Sequence, residues 1–125
     1  MADLDQNKQN AIAFYKEAYE GNPRESVKKY VGDKYIQHNP VVDDGFEGFI
    51  EYFETMYKEY PNKSIEFVRV IAEGDLVALH THQTWPGDEH YVTMDFFRFE
   101  DGKIVEHWDS IQEVPKESKN DNGMW

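Results

Sequence analysis

The order of apolar and polar residues divides the chain in two. Between Asp5 and Glu20, Ile12, Phe14, Tyr15, Ala18 and Tyr19 recur at helical spacing, and Gly21 supplies a C-terminal stop. Asn22-Pro23 has the form of a cap followed by a first-turn proline, and a second helix runs through Val27, Tyr30 and Val31 to Gly32. An extended piece from Lys34 to His38 leads into Asn39-Pro40, because the residue before a proline avoids the helical region. Phe46, Phe49, Ile50, Phe53, Met56, Tyr57 and Tyr60 share one helical face and predict a third helix, ended by Pro61.

Beyond Pro61 the pattern becomes that of strands. Ile65–Ile71, Leu76–Trp85, His90–Phe99 and Lys103–Gln112 are rich in β-branched and aromatic residues. Glu73-Gly74-Asp75, Pro86-Gly87-Asp88 and Asp101-Gly102 separate them as turns, and connections this short make an antiparallel meander. The expected fold is α+β: a curved four-stranded sheet covered on one face by three N-terminal helices. One domain over residues 1–114 and a polar tail over residues 115–125 are expected.

Composition sharpens this picture. Leucine occurs three times, against eight phenylalanines, eight tyrosines and three tryptophans, so the apolar mass is aromatic and suits both a core and the wall of a ligand cavity. A net charge of −12 disfavours nucleic acid and anionic membrane surfaces as partners. With no cysteine, disulfides, thiolate nucleophiles and cysteine-based zinc sites are excluded. No apolar run has the length of a signal peptide or a membrane span, so a cytoplasmic location is expected.

The chemistry concentrates in the last hairpin. Alternation puts Asp95, Phe97 and Phe99 on one face, and Val105, His107, Asp109 and Ile111 on one face of the next strand. A two-residue Asp101-Gly102 turn would set Asp95 opposite Trp108. A three-residue Glu100-Asp101-Gly102 loop would set Asp95 opposite His107, with Asp109 diagonal to both. The second register is preferred because it groups polar with polar. Two carboxylates beside an imidazole among Phe97, Phe99 and Ile111 would form an acid/base centre, since desolvation and a neighbouring carboxylate both raise a carboxylate pKa. The alternative is a hydrogen-bonded polar pair on a solvent-facing sheet.

The run from Asp95 through Phe97-Arg98 and Asp101-Gly102-Lys103-Ile104-Val105-Glu106-His107-Trp108-Asp109 resembles the signature of the SnoaL-like polyketide cyclases. Tyr35-Ile-Gln-His-Asn-Pro40, Glu47-Gly-Phe49 and Val70-Ile-Ala-Glu-Gly74 extend the resemblance over most of the chain. That family belongs to the nuclear-transport-factor-two-like superfamily, with ketosteroid isomerase and limonene epoxide hydrolase as relatives. More narrowly, the chain is similar to predicted SnoaL-like aldol-condensation enzymes. The resemblance implies a cone-shaped, mostly antiparallel sheet with helices on its concave face. It also implies proton abstraction beside a carbonyl and aldol-type closure or isomerisation, with no metal and no organic cofactor. By the same likeness Asp109 is the general base and His107 a pocket residue. Asp95 occupies a pocket position where the cyclases carry histidine, and His38 and Asn39 enter the cavity. His38, Asn39 or His107 would donate to the enolate oxygen. The short chain and aromatic third helix favour a small carbonyl compound over a polyketide. A non-catalytic binding protein of the same fold is the alternative.

Two further groups stand out. His80 and His82 share a strand face, which suits either a metal or a subunit contact. Gln83 and Trp85 then face the cavity mouth, and Phe53 on the third helix reaches a ligand. The outer sheet face would carry Phe96 and Trp108, which predicts a homodimer packed sheet to sheet.

Overall fold

Asp3 caps the first helix by accepting the Gln6 N–H at 3.0 Å, so α1 spans Leu4–Tyr19. Its buried stripe, Ala11, Phe14, Tyr15 and Ala18, follows from 3.6-residue periodicity. The computed structural model describes residues 3–125; Met1 and Ala2, which open the expected domain span, lie outside the described residues. Pro23 opens α2 (Pro23–Tyr30), and α3 spans Gly45–Glu59. The strands are β1 (Val31–Gln37), β2 (Ser64–Glu73), β3 (Leu76–Trp85), β4 (Glu89–Glu100) and β5 (Lys103–Glu113).

The sheet has five strands in the order β1-β5-β4-β3-β2, not the four of a simple meander. Val31 fits the α2 stripe by spacing, yet it leaves the helix to pair with Ile104, and β1 continues parallel to β5 to Gln37 opposite His107. This added strand places the Gln37–Asn39 segment beside the chemistry of β5. The three helices cover the concave face, where Phe14 stacks on Phe49 with ring centres 4.8 Å apart and meets Phe97 edge-on at 5.7 Å.

Two local devices fix the geometry. Asp44 precedes α3 but does not cap it; its Oδ1 instead accepts the Gln37 N–H at 2.9 Å, tying the helix entry to the end of β1. Gly48, in the first turn of α3, lies so close to the preceding loop that a Cβ there would stand 1.9 Å from the Asp43 carbonyl oxygen. At the β4–β5 turn, Asp101 and Gly102 both have positive φ, which gives a two-residue hairpin with Glu100 opposite Lys103.

The expected three-residue Glu100-Asp101-Gly102 loop is therefore not formed. The ladder instead gains one residue at Val105, after which Arg98 pairs with Glu106. That bulge buries Ile104 and Val105 together and sets Asp95 opposite Asp109 rather than His107.

The convex face is half covered. Residues 115–125 form neither helix nor strand, and their end lies over the β3 histidines. Trp125 stacks on His82 with ring centres 3.7 Å apart and planes 4° from parallel, while His80 Nε2 donates to the Met124 carbonyl at 3.0 Å. Ile71, Met94 and Phe96 remain exposed beside this cover. No helix among the described residues is long and apolar enough to cross a membrane.

Candidate active site

On β4, Thr93, Asp95 and Phe97 point inward because they alternate with Met94, Phe96 and Arg98; on β5, His107 and Asp109 share the inward face past the bulge. Asp95 is completely buried, and its charge is met on both oxygens. The Thr93 hydroxyl, which is itself bonded to the Thr81 hydroxyl, donates to Oδ2, while His107 Nε2 lies 2.8 Å from Oδ1. The other ring nitrogen, Nδ1, lies 3.1 Å from Gln37 Oε1. That oxygen also accepts the backbone N–H groups of His38 and Asn39. Gln37 thus acts as an acceptor, so Nδ1 carries a hydrogen and Asp95 and His107 hold one further proton between them.

Asp109 is the carboxylate that reaches the cavity. Its Oδ2 accepts from Asn39 Nδ2 at 3.1 Å and lies 4.0 Å from His107 Nε2. Burial raises its pKa; the charge of Asp95 adds to the rise, while His107 and the Asn39 hydrogen bond oppose it. The cavity, of about 210 Å³, lies between α1, α3 and the concave sheet. Its walls include Tyr15, Tyr19, Tyr52, Phe53, Gln83 and Trp85, with His107 and Asp109 at the sheet side. Tyr19 donates to Gln83 Oε1 at 2.6 Å and the Trp85 indole N–H donates to the same oxygen at 3.2 Å. Both bonds use the oxygen, which leaves the Gln83 amide N–H groups for a ligand. A second chamber of about 350 Å³ shares Val42, Tyr52, Met56 and Trp85 with the first and opens outward.

The structure brings together Asp95, His107, Asp109, Asn39, Gln83, Trp85 and Phe53. Two expected residues fall elsewhere. His38 lies on the outer face, its side chain 41% exposed, stacked on Trp108 and 2.7 Å from Glu106. The chain turns between His38 and Asn39, so only the asparagine enters. Phe97 is fully buried beneath the site, stacked on His107 at 4.6 Å, and supports the imidazole rather than facing a ligand.

Tyr15, Tyr52 and Gln37 also line the cavity, and the sequence reading does not single them out. Their signal was present: a hydroxyl on an otherwise apolar helix face, and an amide two residues before Asn39.

Asp95, His107 and Asp109 place ligand atoms within 4.8 Å of one another, a spacing that a divalent cation could also use. His80 and His82 point outward. Both ring nitrogens of His80 are engaged, by Arg69 at 2.6 Å and by Met124, and the guanidinium would repel a metal there.

The SnoaL-like domain family matches residues 11–107, a span that includes Asp95 and His107 and stops two residues before Asp109. The chain belongs to the SnoaL-like domain family. Among solved structures, TsrD from Streptomyces laurentii is 21% identical with a TM-score of 0.76, over 89% of this chain and 91% of that one. A candidate polyketide cyclase from Bacillus cereus is 21% identical with a TM-score of 0.74, over 85% and 74% of the two chains. A candidate ketosteroid isomerase from Kribbella flavida is 21% identical with a TM-score of 0.73, over 96% and 87%. These likenesses establish the cone fold of this SnoaL-like domain. No curated protein matches the chain.

Proposed function

We propose that this SnoaL-like domain catalyses proton transfer at the carbon next to a carbonyl in a small molecule, with Asp109 as general base. The observation that carries the reading is a desolvated carboxylate lining a cavity, held at one oxygen by Asn39 and backed by the Asp95–His107 pair. The Asp109 carboxylate takes the α-proton, and the C–H electron pair moves to the carbonyl oxygen as an enolate. Tyr15 is buried, lines the cavity and makes no side-chain hydrogen bond among the described residues; its hydroxyl donates to that oxygen. The enolate carbon then attacks a second carbonyl of the same molecule, or is reprotonated elsewhere. In both cases Asp109 returns its proton, to the new alkoxide or to carbon, so the site is regenerated without an oxidant or cofactor. The proton shared by His107 and Asp95 screens the two carboxylates from each other.

Exchange of ketone α-hydrogens with deuterated solvent tests this reading. Exchange by the wild-type protein that disappears in Asp109→Asn supports it; equal exchange by both refutes it. We also propose a homodimer through the convex face, where Ile71, Met94 and Phe96 are exposed beside the tail. Light scattering that gives a monomer at micromolar concentration would exclude that assembly.

A further inference from the structure

The polar groups around the inner cavity are amides, hydroxyls, His107 and Asp109, and neither chamber has a lysine or arginine in its wall. The outer chamber, which shares the wall at Tyr52 and Trp85 with the inner one, is lined by Asp43, Glu51 and Glu59 together with Tyr52, Tyr60 and Trp85. None of those three carboxylates stands within salt-bridge distance of a cation among the described residues. The Tyr60 and Trp85 rings meet at 5.0 Å, tilted by 55°, and form an aromatic corner beside the acidic groups. Trp85 is held in that orientation by its N–H bond to Gln83. Among the described residues the one buried lysine, Lys63, donates to the Tyr19 carbonyl at 3.3 Å and lines neither chamber.

We infer that the site selects its substrate by charge, preferring a carbonyl compound that carries an ammonium group, accepting an uncharged one, and rejecting carboxylates, sulfonates and phosphate esters. An anion entering through the outer chamber loses hydration and meets carboxylates and the negative faces of aromatic rings, and the neutral donors of the inner chamber offer it no cationic lysine or arginine partner. An ammonium group meets both as attractive partners, and the chain's net charge of −12 adds a field of the same sign. The inference rests on the reading of the inner cavity as a ligand site and names the class of molecule that reaches it.

Three phenylbutanones test it, identical except for a para substituent: trimethylammonium, its uncharged isostere tert-butyl, and sulfonate. Titration calorimetry at low ionic strength is expected to show the ammonium ketone binding about tenfold tighter than the tert-butyl ketone, with the sulfonate at least about tenfold weaker than either. In a variant combining Asp43→Asn, Glu51→Gln and Glu59→Gln, the preference for the ammonium over the tert-butyl ketone is expected to fall to about threefold, the remainder coming from the ring faces. Retained binding of the tert-butyl ketone reports that this variant is folded. Sulfonate binding as tight as ammonium in the wild-type protein would overturn the inference, as would an undiminished ammonium preference in the variant. Asp109→Asn separates the two claims. If it keeps the order of affinities while α-hydrogen exchange proves independent of Asp109, the catalytic reading alone fails. If exchange depends on Asp109 but no charge order is seen, the selectivity alone fails.

Discussion

Asp95 and Asp109 stand directly opposite each other across the β4–β5 ladder, yet only Asp109 opens onto the cavity. His107 separates their charges, with Nε2 at 2.8 Å from Asp95 Oδ1 and 4.0 Å from Asp109 Oδ2. The two carboxylates are therefore inequivalent. Asp95 has a complete set of partners, whereas Asp109 has one strong donor and a desolvated surface, which is the condition for a base of raised proton affinity.

The first consequence concerns pH. The Asp109 pKa is raised above its ordinary value of 3.8, so the folded protein binds this proton more tightly than the unfolded chain does. The group favours folding fully below the unfolded value, and that contribution is lost as pH rises through the folded one. Asp109→Asn keeps the shape and can still accept from Asn39, while removing the desolvated charge. Urea denaturation is expected to show the variant more stable than wild type at neutral pH, with the difference shrinking at acid pH. A less stable variant at neutral pH would show that the ionised carboxylate is well solvated.

Asn39 and His38 are neighbours in sequence with opposite fates. The Asn39 hydrogen bond lowers the Asp109 pKa. Asn39→Ala is expected to move the acid limb of the exchange rate to higher pH, whereas His38→Ala leaves that limb in place because its ring faces Trp108 and Glu106. Equal shifts in the two pH profiles would contradict this division.

Tyr15→Phe removes a hydroxyl and leaves the packing of α1 unchanged. Loss of one preorganised donor to an oxyanion is expected to slow exchange by about 10²–10³-fold. Stability measured by thermal melting is expected to stay near wild type, since the hydroxyl has no protein partner. A rate within about twofold of wild type would move the donor role to the Gln83 amide or to Tyr52.

Gly48→Ala tests how the helical lid is seated. A Cβ placed 1.9 Å from the Asp43 carbonyl oxygen must displace the loop that carries Val42 and Asp43 into the two chambers. A loss of about 1–3 kcal/mol of stability is expected, as for other overpacked positions. An unchanged denaturation midpoint would mean that the loop yields freely.

Much of this was legible in the sequence, for reasons particular to each element. The aromatic stripe of α3 and the turn residues between strands follow local rules of periodicity and φ preference, and they marked the helices and the β2–β5 hairpins. The inward face of Asp95, His107 and Asp109 was legible from alternation, but their register was not. The bulge at Val105 depends on burying two consecutive apolar residues beside β1, which no local pattern reports. For the same reason the sequence shows β1 only as an extended piece: a parallel pairing joins residues far apart in sequence. The outward turn of His38 is not legible because adjacent residues in a turn give no alternation to follow; nor is the burial of Phe97 beneath the site, because a buried support and a cavity wall have the same hydrophobic signature.

The most direct measurement is the rate at which ketone α-hydrogens exchange with deuterium oxide near neutral pH, followed by NMR for wild type and Asp109→Asn. The account predicts protein-dependent exchange that falls by about 10²–10⁴-fold in the variant. Exchange that is absent from the wild-type protein for neutral and ammonium-bearing ketones that bind, or equal in the two proteins, would contradict it.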